Sequence, residues 1–414
     1  MRSTRILMVI GPGLAIAATG VGAGDLMSAL IAGAKHGTAL LWVITIGAVL
    51  KFALNEGVAR WQLATGKTLI EGWTDHLGRP VLVYFSAYLA IWGVVVAAGL
   101  MSACGVAAHA LLPQIPIGAW SVIHSLFALA LVWRGRYGIF ESIMKVLILL
   151  MVITIVGSVI LLRPDWMQAA RSLAAPTLPE GSAPSALSLM GGVGGSVTLL
   201  SYGYWIREKG WRGGERIGDA RLDLAVGYLL TGVFGVAMLV LSASVLGPLQ
   251  DLPPGSRGLI ACADAIGEAA GDRLGGGAAI RLVFLIGVWG AMVTSLIGVW
   301  QGVPYLFAET LQQWTGRRHE PVDPHGRLYR GGLLLLALPP MILLALGRPV
   351  WLVQLYTALS GLFMPLLAGT LLWLNRQSAL VGNLRVGPAA TIALCFALFL
   401  FAAVLIRQLL DLAG

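Results

Sequence analysis

Apolar runs long enough to cross a bilayer, about 20 residues each, recur along almost the whole chain and are separated by short polar or basic segments. They fall near residues 6–33, 38–60, 80–108, 117–133, 142–162, 185–206, 222–247, 278–309, 329–347, 350–373 and 387–409. The pattern predicts an all-α membrane protein with eleven transmembrane helices. Two runs are interrupted by glycine: Gly20-Val21-Gly22-Ala23-Gly24-Asp25 in the first and Gly192-Val193-Gly194-Gly195-Ser196 in the sixth. In lipid a helix is broken only where the freed backbone groups line a cavity or are covered by protein. Small residues also let membrane helices pack closely, but the shared Gly-Val-Gly marks these interruptions as a matched pair. Such a pair points to a transport site between two structural repeats.

Composition agrees: 57% of the 414 residues are hydrophobic, 11% are charged, and the mean hydropathy is +0.84, which excludes a soluble globular domain. The net charge of +9 is a topology signal. With the N-terminus in the cytoplasm, eighteen Lys and Arg fall in inside segments and eight in outside ones, as the positive-inside rule requires. The expectation is an integral protein of the plasma (inner) membrane, N-terminus cytoplasmic and C-terminus outside. Its basic surplus then meets anionic lipid, not nucleic acid. No cleavable signal peptide is expected. No phosphate-binding loop, metal-ligand cluster or nucleophile with a base is found, so the chain is not read as an enzyme and no cofactor is expected. Cys104, Cys262 and Cys395 have no ligand spacing and read as buried small apolar residues.

The chain reads as a single transmembrane domain over 1–414. Five spans (6–162) are followed by five more (185–373), each set opening on a broken helix, with an extra C-terminal helix at 387–409. An odd number of crossings separates the two starts, so the second half enters from the opposite face. This is the LeuT-like 5+5 inverted repeat with discontinuous first and sixth helices.

Gly11-Pro12-Gly13, the break some ten positions on, Ala32-Gly33-Ala34, Gly37 and Leu40-Leu41-Trp42 resemble the first two helices of the Nramp divalent-metal transporters. The similarity continues through Arg60, Ala64-Thr65-Gly66-Lys67, Tyr137-Gly138 with Glu141, Gly298 with Gly302, and Pro365. The resemblance implies a divalent metal ion as transported substrate, but the family's metal motif is rewritten. Gly22 stands at the metal-binding Asp of Asp-Pro-Gly-Asn, and Asp25 at its Asn. Leu199-Leu200-Ser201 stand, within about one residue, at the sixth-span Met-Pro-His. Tyr88, Val95 and Ala98 replace third-helix carboxylates that serve proton traffic, and Thr357 replaces the tenth-span Gln. The chain looks like an outlying Nramp-related branch.

Loss of the thioether shifts preference from softer metals toward oxygen coordination. Magnesium, often held through one or two carboxylates and water, suits such a site, and manganese also accepts oxygen ligands. Asp25 is the expected charged ligand, with carbonyls near Gly20, Val21 and Gly22. From the sixth span, carbonyls around Gly194 and Gly195 and the hydroxyls of Ser196 and Thr198 are expected in the same cavity. Two other roles stay open: Asp25 capping the half-helix after Gly24, and Ser196 and Thr198 capping the second half-helix.

Lys51 places a cation inside the second span, where the family pattern is neutral. It either has a structural partner, Asn55 or Glu56, or belongs to a permeation or coupling network with Thr357, Leu199, Ser201 and Tyr202. With the third-helix carboxylates and the histidine gone, transport is expected without proton coupling. His124 is the one histidine placed for a relay. The rival reading is a small organic cation held by Asp25 against an aromatic wall of Tyr202, Tyr204 and Trp205. A non-transporting membrane sensor lacks the signalling domain or long tail it would need.

Overall fold

The computed structural model describes residues 9–135, 137–246, 256–317 and 320–413. Arg2, Arg5, Arg136 and Arg318, which enter the inside charge count, and the outermost positions of the first and seventh expected spans lie outside them. Every regular element among the described residues is helical.

The first span is two helices, α1 (Pro12–Gly20) and α2 (Ala23–His36), bent by 50° across Val21 and Gly22. Pro12 begins α1, where its missing N–H costs nothing. Then come α3 (Leu41–Thr65), the short α4 (Leu69–His76), α5 (Arg79–Leu111), α6 (Ile117–Trp133) and α7 (Tyr137–Leu162). A reciprocal cap between Thr68 and Glu71 opens α4. The connecting loop carries α8 (Trp166–Ala174), whose Gln168 N–H donates to the Asp165 carboxylate at 2.9 Å.

The sixth span comprises α9 (Ala183–Gly192), an unwound stretch, a 3-10 turn (Val197–Leu200) and α10 (Ser201–Glu208). The remaining helices are α11 (Ile217–Val245), α12 (Ser256–Leu274), α13 (Gly277–Thr315), α14 (Arg327–Ala337), α15 (Met341–Leu344), α16 (Pro349–Arg376), α17 (Ser378–Val381) and α18 (Pro388–Ala413). Two broken antiparallel spans lying side by side must pair the first half of one with the second half of the other. Here α1 packs on α10 and α2 on α9, while α11 packs along both α1 and α2. This is the LeuT-like arrangement.

Several details depart from the sequence expectation. Among the described residues eight helices are long and apolar enough to cross a membrane, nine with the bent α1–α2 pair. Of the other two expected spans, α6 (Ile117–Trp133) is apolar but only 17 residues long, and α18 (Pro388–Ala413) runs for 26 residues, apolar over Pro388–Ala403. Residues 256–274, expected as loop, form a helix of 19 residues. The ninth span breaks at Pro339-Pro340, which cannot donate to a helical ladder. At 39 residues α13 is about 58 Å long, well beyond the bilayer core.

Large apolar side chains such as Ile91, Val146, Ile153 and Leu229 are exposed, while Asp25, Lys51, Glu56, Arg60, Asp223 and Glu309 are buried. That inverted distribution suits lipid as the surrounding solvent. Cys104 and Cys262 are buried as expected, but Cys395 is exposed on the last helix, where a small apolar thiol is compatible with lipid contact.

Candidate functional site

The two glycine breaks touch. A Cβ on Gly20 would lie 2.6 Å from the carbonyl carbon of Gly194 and 2.9 Å from the nitrogen of Gly195, closer than any packed side chain allows. In the facing unwound segment Gly194 and Gly195 have φ of 75° and 84°, a left-handed backbone that costs an L-residue about 1–2 kcal/mol. The sequence thus supplies glycine both where the chain turns left-handed and where it must pass close by.

This contact brings Asp25 onto the other break. Asp25 lies in the first turn of α2, and no side chain caps that helix; its N-cap is Gly22. Instead Asp25 Oδ2 accepts the backbone N–H of Gly194 at 3.3 Å. Its other oxygen, Oδ1, is buried without a hydrogen-bond partner. A small cavity of about 40 Å³ lies here, walled by Asp25, Gly20, Gly22, Gly24, Gly195, Ser196, Thr198 and Thr357 among others.

Gly192, the first residue of the second glycine run, also lines the wall, and further wall residues were not legible from sequence: Thr19, Trp92, Ser295, Tyr356 and Ser360. Ser295 donates to the Thr19 carbonyl at 2.7 Å, in the last turn of α1. Ser196 and the Trp92 indole N–H each donate to Ser360 Oγ at 3.0 Å, and Ser360 donates to the Tyr356 carbonyl at 2.7 Å. Ser196 therefore ties the sixth-span break to α5 and α16 and caps no helix. Thr357 donates to the Val353 carbonyl of its own helix at 2.9 Å.

Other sequence candidates fall elsewhere. Val21, Gly194 and Leu199 are outside the cavity wall, Val21 and Leu199 being fully buried. Ser201 packs against Gly302 and its buried hydroxyl has no partner. Tyr202 donates to Asp223 at 3.0 Å, an aspartate that also accepts the N–H of Gly11 at 2.9 Å and of Gly13 at 2.6 Å. Tyr204 and Trp205 donate to Glu309 and Gln301. The expected aromatic wall is thus consumed by partners of its own. His124 lies outside the cavity wall, and both its ring nitrogens are engaged: Nδ1 meets the Trp120 carbonyl at 2.7 Å and Nε2 accepts from the Trp289 indole at 2.9 Å.

Lys51 differs most from expectation. Asn55 donates to the Tyr228 hydroxyl at 3.1 Å, and Glu56 is held by Arg60 and Arg221. The Lys51 ammonium instead donates to the Gly195 carbonyl and, at 3.4 Å, to that of Gly191. A larger cavity of about 520 Å³ between α3, α7 and α11 is apolar; it includes the exposed Val49 and Leu229 and is a lipid-facing groove.

Residues 13–411 match the family profile described as "Natural resistance-associated macrophage protein-like" (Nramp). A protein of Acidiphilium cryptum described as "Divalent metal cation transporter MntH" is 24% identical over 405 residues, covering 94% of this chain and 86% of its own length. A protein of Granulibacter bethesdensis with the same description is 25% identical over 251 residues, covering 58% of this chain and 55% of its own length. The chain thus spans about half of that relative. Among solved structures, a mutant of the Eremococcus coleocola manganese transporter superposes with a TM-score of 0.78 at 17% identity, covering 99% of this chain and 88% of its own. At that identity the likeness concerns the fold.

Proposed function

The chain is a member of the Nramp family, and on that premise we propose that it carries a divalent metal cation, magnesium or manganese, across the membrane in which its helices lie. The observation that carries this reading is the buried, unpartnered Oδ1 of Asp25 at the wall of the cavity between the two breaks. A buried carboxylate oxygen without a donor is costly, and a cation is the partner that offsets this. The polar atoms of the wall are carboxylate, hydroxyl and peptide oxygens and nitrogens plus one indole; no Met, Cys or His lines it. Such a donor set favours hard, oxygen-seeking ions. A water needs about 10–15 Å³ of such space, so this volume suits an ion with one or two waters.

The organic-cation reading finds less support. In this conformation the cavity is too small for an amine of substrate size, and Tyr202, Tyr204 and Trp205 face other partners.

Asp25 is the sole carboxylate of the wall, which supports transport uncoupled from protons. The driving force is then the substrate gradient and the membrane potential, about 2.3 kcal/mol per charge per 100 mV. Alternating access would come from the repeats 6–162 and 185–373 rocking about the site. The charge bias supports a cytoplasmic N-terminus and an outside C-terminus in the plasma (inner) membrane.

The test is binding of magnesium, manganese and a panel of organic cations by titration calorimetry, paired with uptake into proteoliposomes containing a pH dye. Metal heat and metal uptake, both lost in Asp25→Ala and neither accompanied by lumenal acidification, support the reading. Heat with amines alone, or one proton moved per metal, contradicts it.

A further inference from the structure

Lys51 is fully buried. It makes no ion pair among the described residues, and burying an ammonium costs several kcal/mol unless its protons are well satisfied. What satisfies them is the sixth-span break. The carbonyls of Gly191 and Gly195 receive it, and both have lost the donor a continuous helix would supply. The Gly195 N–H turns to the Gly192 carbonyl at 3.4 Å, and the Leu199 N–H to the Ser196 carbonyl at 3.0 Å. One cation serves two peptide oxygens freed by the same break, as a metal ion would. The Phe401 ring of α18 lies 5.8 Å from the ammonium and backs it.

Gly191 and Gly195 also line the Asp25 cavity. The lysine therefore holds carbonyls of two residues that line the candidate cation site, and the unpartnered Asp25 oxygen faces the same short segment from α2: a Cβ on Gly192 would sit 3.1 Å from it. We propose that the Lys51 ammonium is a tethered cation that occupies the carbonyl ligands of the sixth-span break while the site is empty and must leave them for a divalent cargo to bind. This rests on the divalent-cation reading above. The lysine competes with cargo for oxygen ligands and adds a like charge to repel it, so it sets a high threshold concentration for loading. It also fastens the middle of the second span, α3, to the sixth-span break while the site is empty, so loading and release of that fastening are one event.

Manganese binding to the purified full chain tests this by comparing the wild type with Lys51→Met and Lys51→Gln. Gln retains a hydrogen-bond donor for the carbonyls without the charge. Kd for manganese is expected to fall at least tenfold in both variants, and adding Asp25→Asn to either is expected to abolish the gain. Unchanged or weaker binding in both, with the wild type binding, overturns the tethered cation and leaves the metal reading standing. No manganese binding by the wild type or either variant overturns the metal reading and this proposal with it. A manganese-loaded structure of the wild type needs no variant: Lys51 Nζ is expected to have left the Gly195 carbonyl, and metal bound with that contact intact overturns the proposal.

Discussion

The backbone N–H of Gly194 donates to Oδ2 of Asp25 at 3.3 Å, across 169 residues of sequence. A carboxylate on the first broken span thus satisfies a peptide of the second, and the site exists only where the two halves of the chain meet. Asp25→Asn keeps an acceptor for that N–H but removes the charge. Even a group that only orients a metal ligand contributes about 10- to 100-fold in metal affinity, so loss of the charged ligand itself is expected to weaken manganese binding at least about tenfold by calorimetry. Asp25→Ala also orphans the Gly194 N–H and is expected to lower thermal stability as well.

Gly20→Ala tests the contact of the two breaks. The added carbon would meet backbone atoms of Gly194 and Gly195 at under 3 Å, and backbone cannot rotate away as a side chain can. The cost of such overpacking is about 1–3 kcal/mol or more. Both melting temperature in detergent and initial uptake rate are expected to fall. An alanine protein with wild-type melting and uptake would show that the breaks do not pack as described.

Asp223 anchors the start of α1 by accepting from Gly11, Gly13 and Tyr202, away from the cavity. Asp223→Ala leaves the buried N–H groups of Gly11 and Gly13 unpaired, at about 1–3 kcal/mol each, and leaves the Tyr202 hydroxyl only the Ala220 carbonyl at 3.4 Å. A melting temperature lower by several degrees is expected, with manganese Kd in the remaining folded protein within about threefold of wild type. A large loss of affinity without destabilisation would instead assign Asp223 to the ion path.

The broken first span, the wall positions Gly20, Gly22, Asp25, Gly195, Ser196 and Thr198, and the membrane character were legible because they rest on local signals, while Thr357 came from the family resemblance. Glycine runs, a carboxylate beside one of them and long apolar runs need no tertiary information. The partners of Lys51 were not legible. Helical spacing offered Asn55 and Glu56, one turn or so away, but carbonyls freed by a break 140 residues later leave no mark in side-chain identity. Trp92, Ser295 and Ser360 were equally hidden, since an indole or hydroxyl in an apolar helix looks like packing until its neighbour is placed. The Tyr202 to Trp205 wall failed because the buried acceptors Asp223, Glu309 and Gln301 lie on other helices.

Ser360 receives Ser196 and Trp92 together. Ser360→Ala leaves the buried Trp92 N–H without its acceptor, which costs about 1–3 kcal/mol. Adding Trp92→Phe removes the orphaned donor, so the pair is expected to be less destabilised than the sum of the single variants. A thermodynamic cycle by denaturant or thermal unfolding checks this; strict additivity would mean that the Trp92–Ser360 bond carries no stability.

The central claim is that the pocket between the two breaks holds a divalent cation on Asp25. Anomalous scattering at the manganese edge, from crystals grown with manganese, tests it most directly. The account predicts a peak within about 2.5 Å of Asp25 Oδ1, a metal-oxygen distance, absent in Asp25→Ala crystals grown the same way. A manganese peak at another place with the Asp25 cavity unoccupied, or an undiminished peak after the substitution, would contradict it.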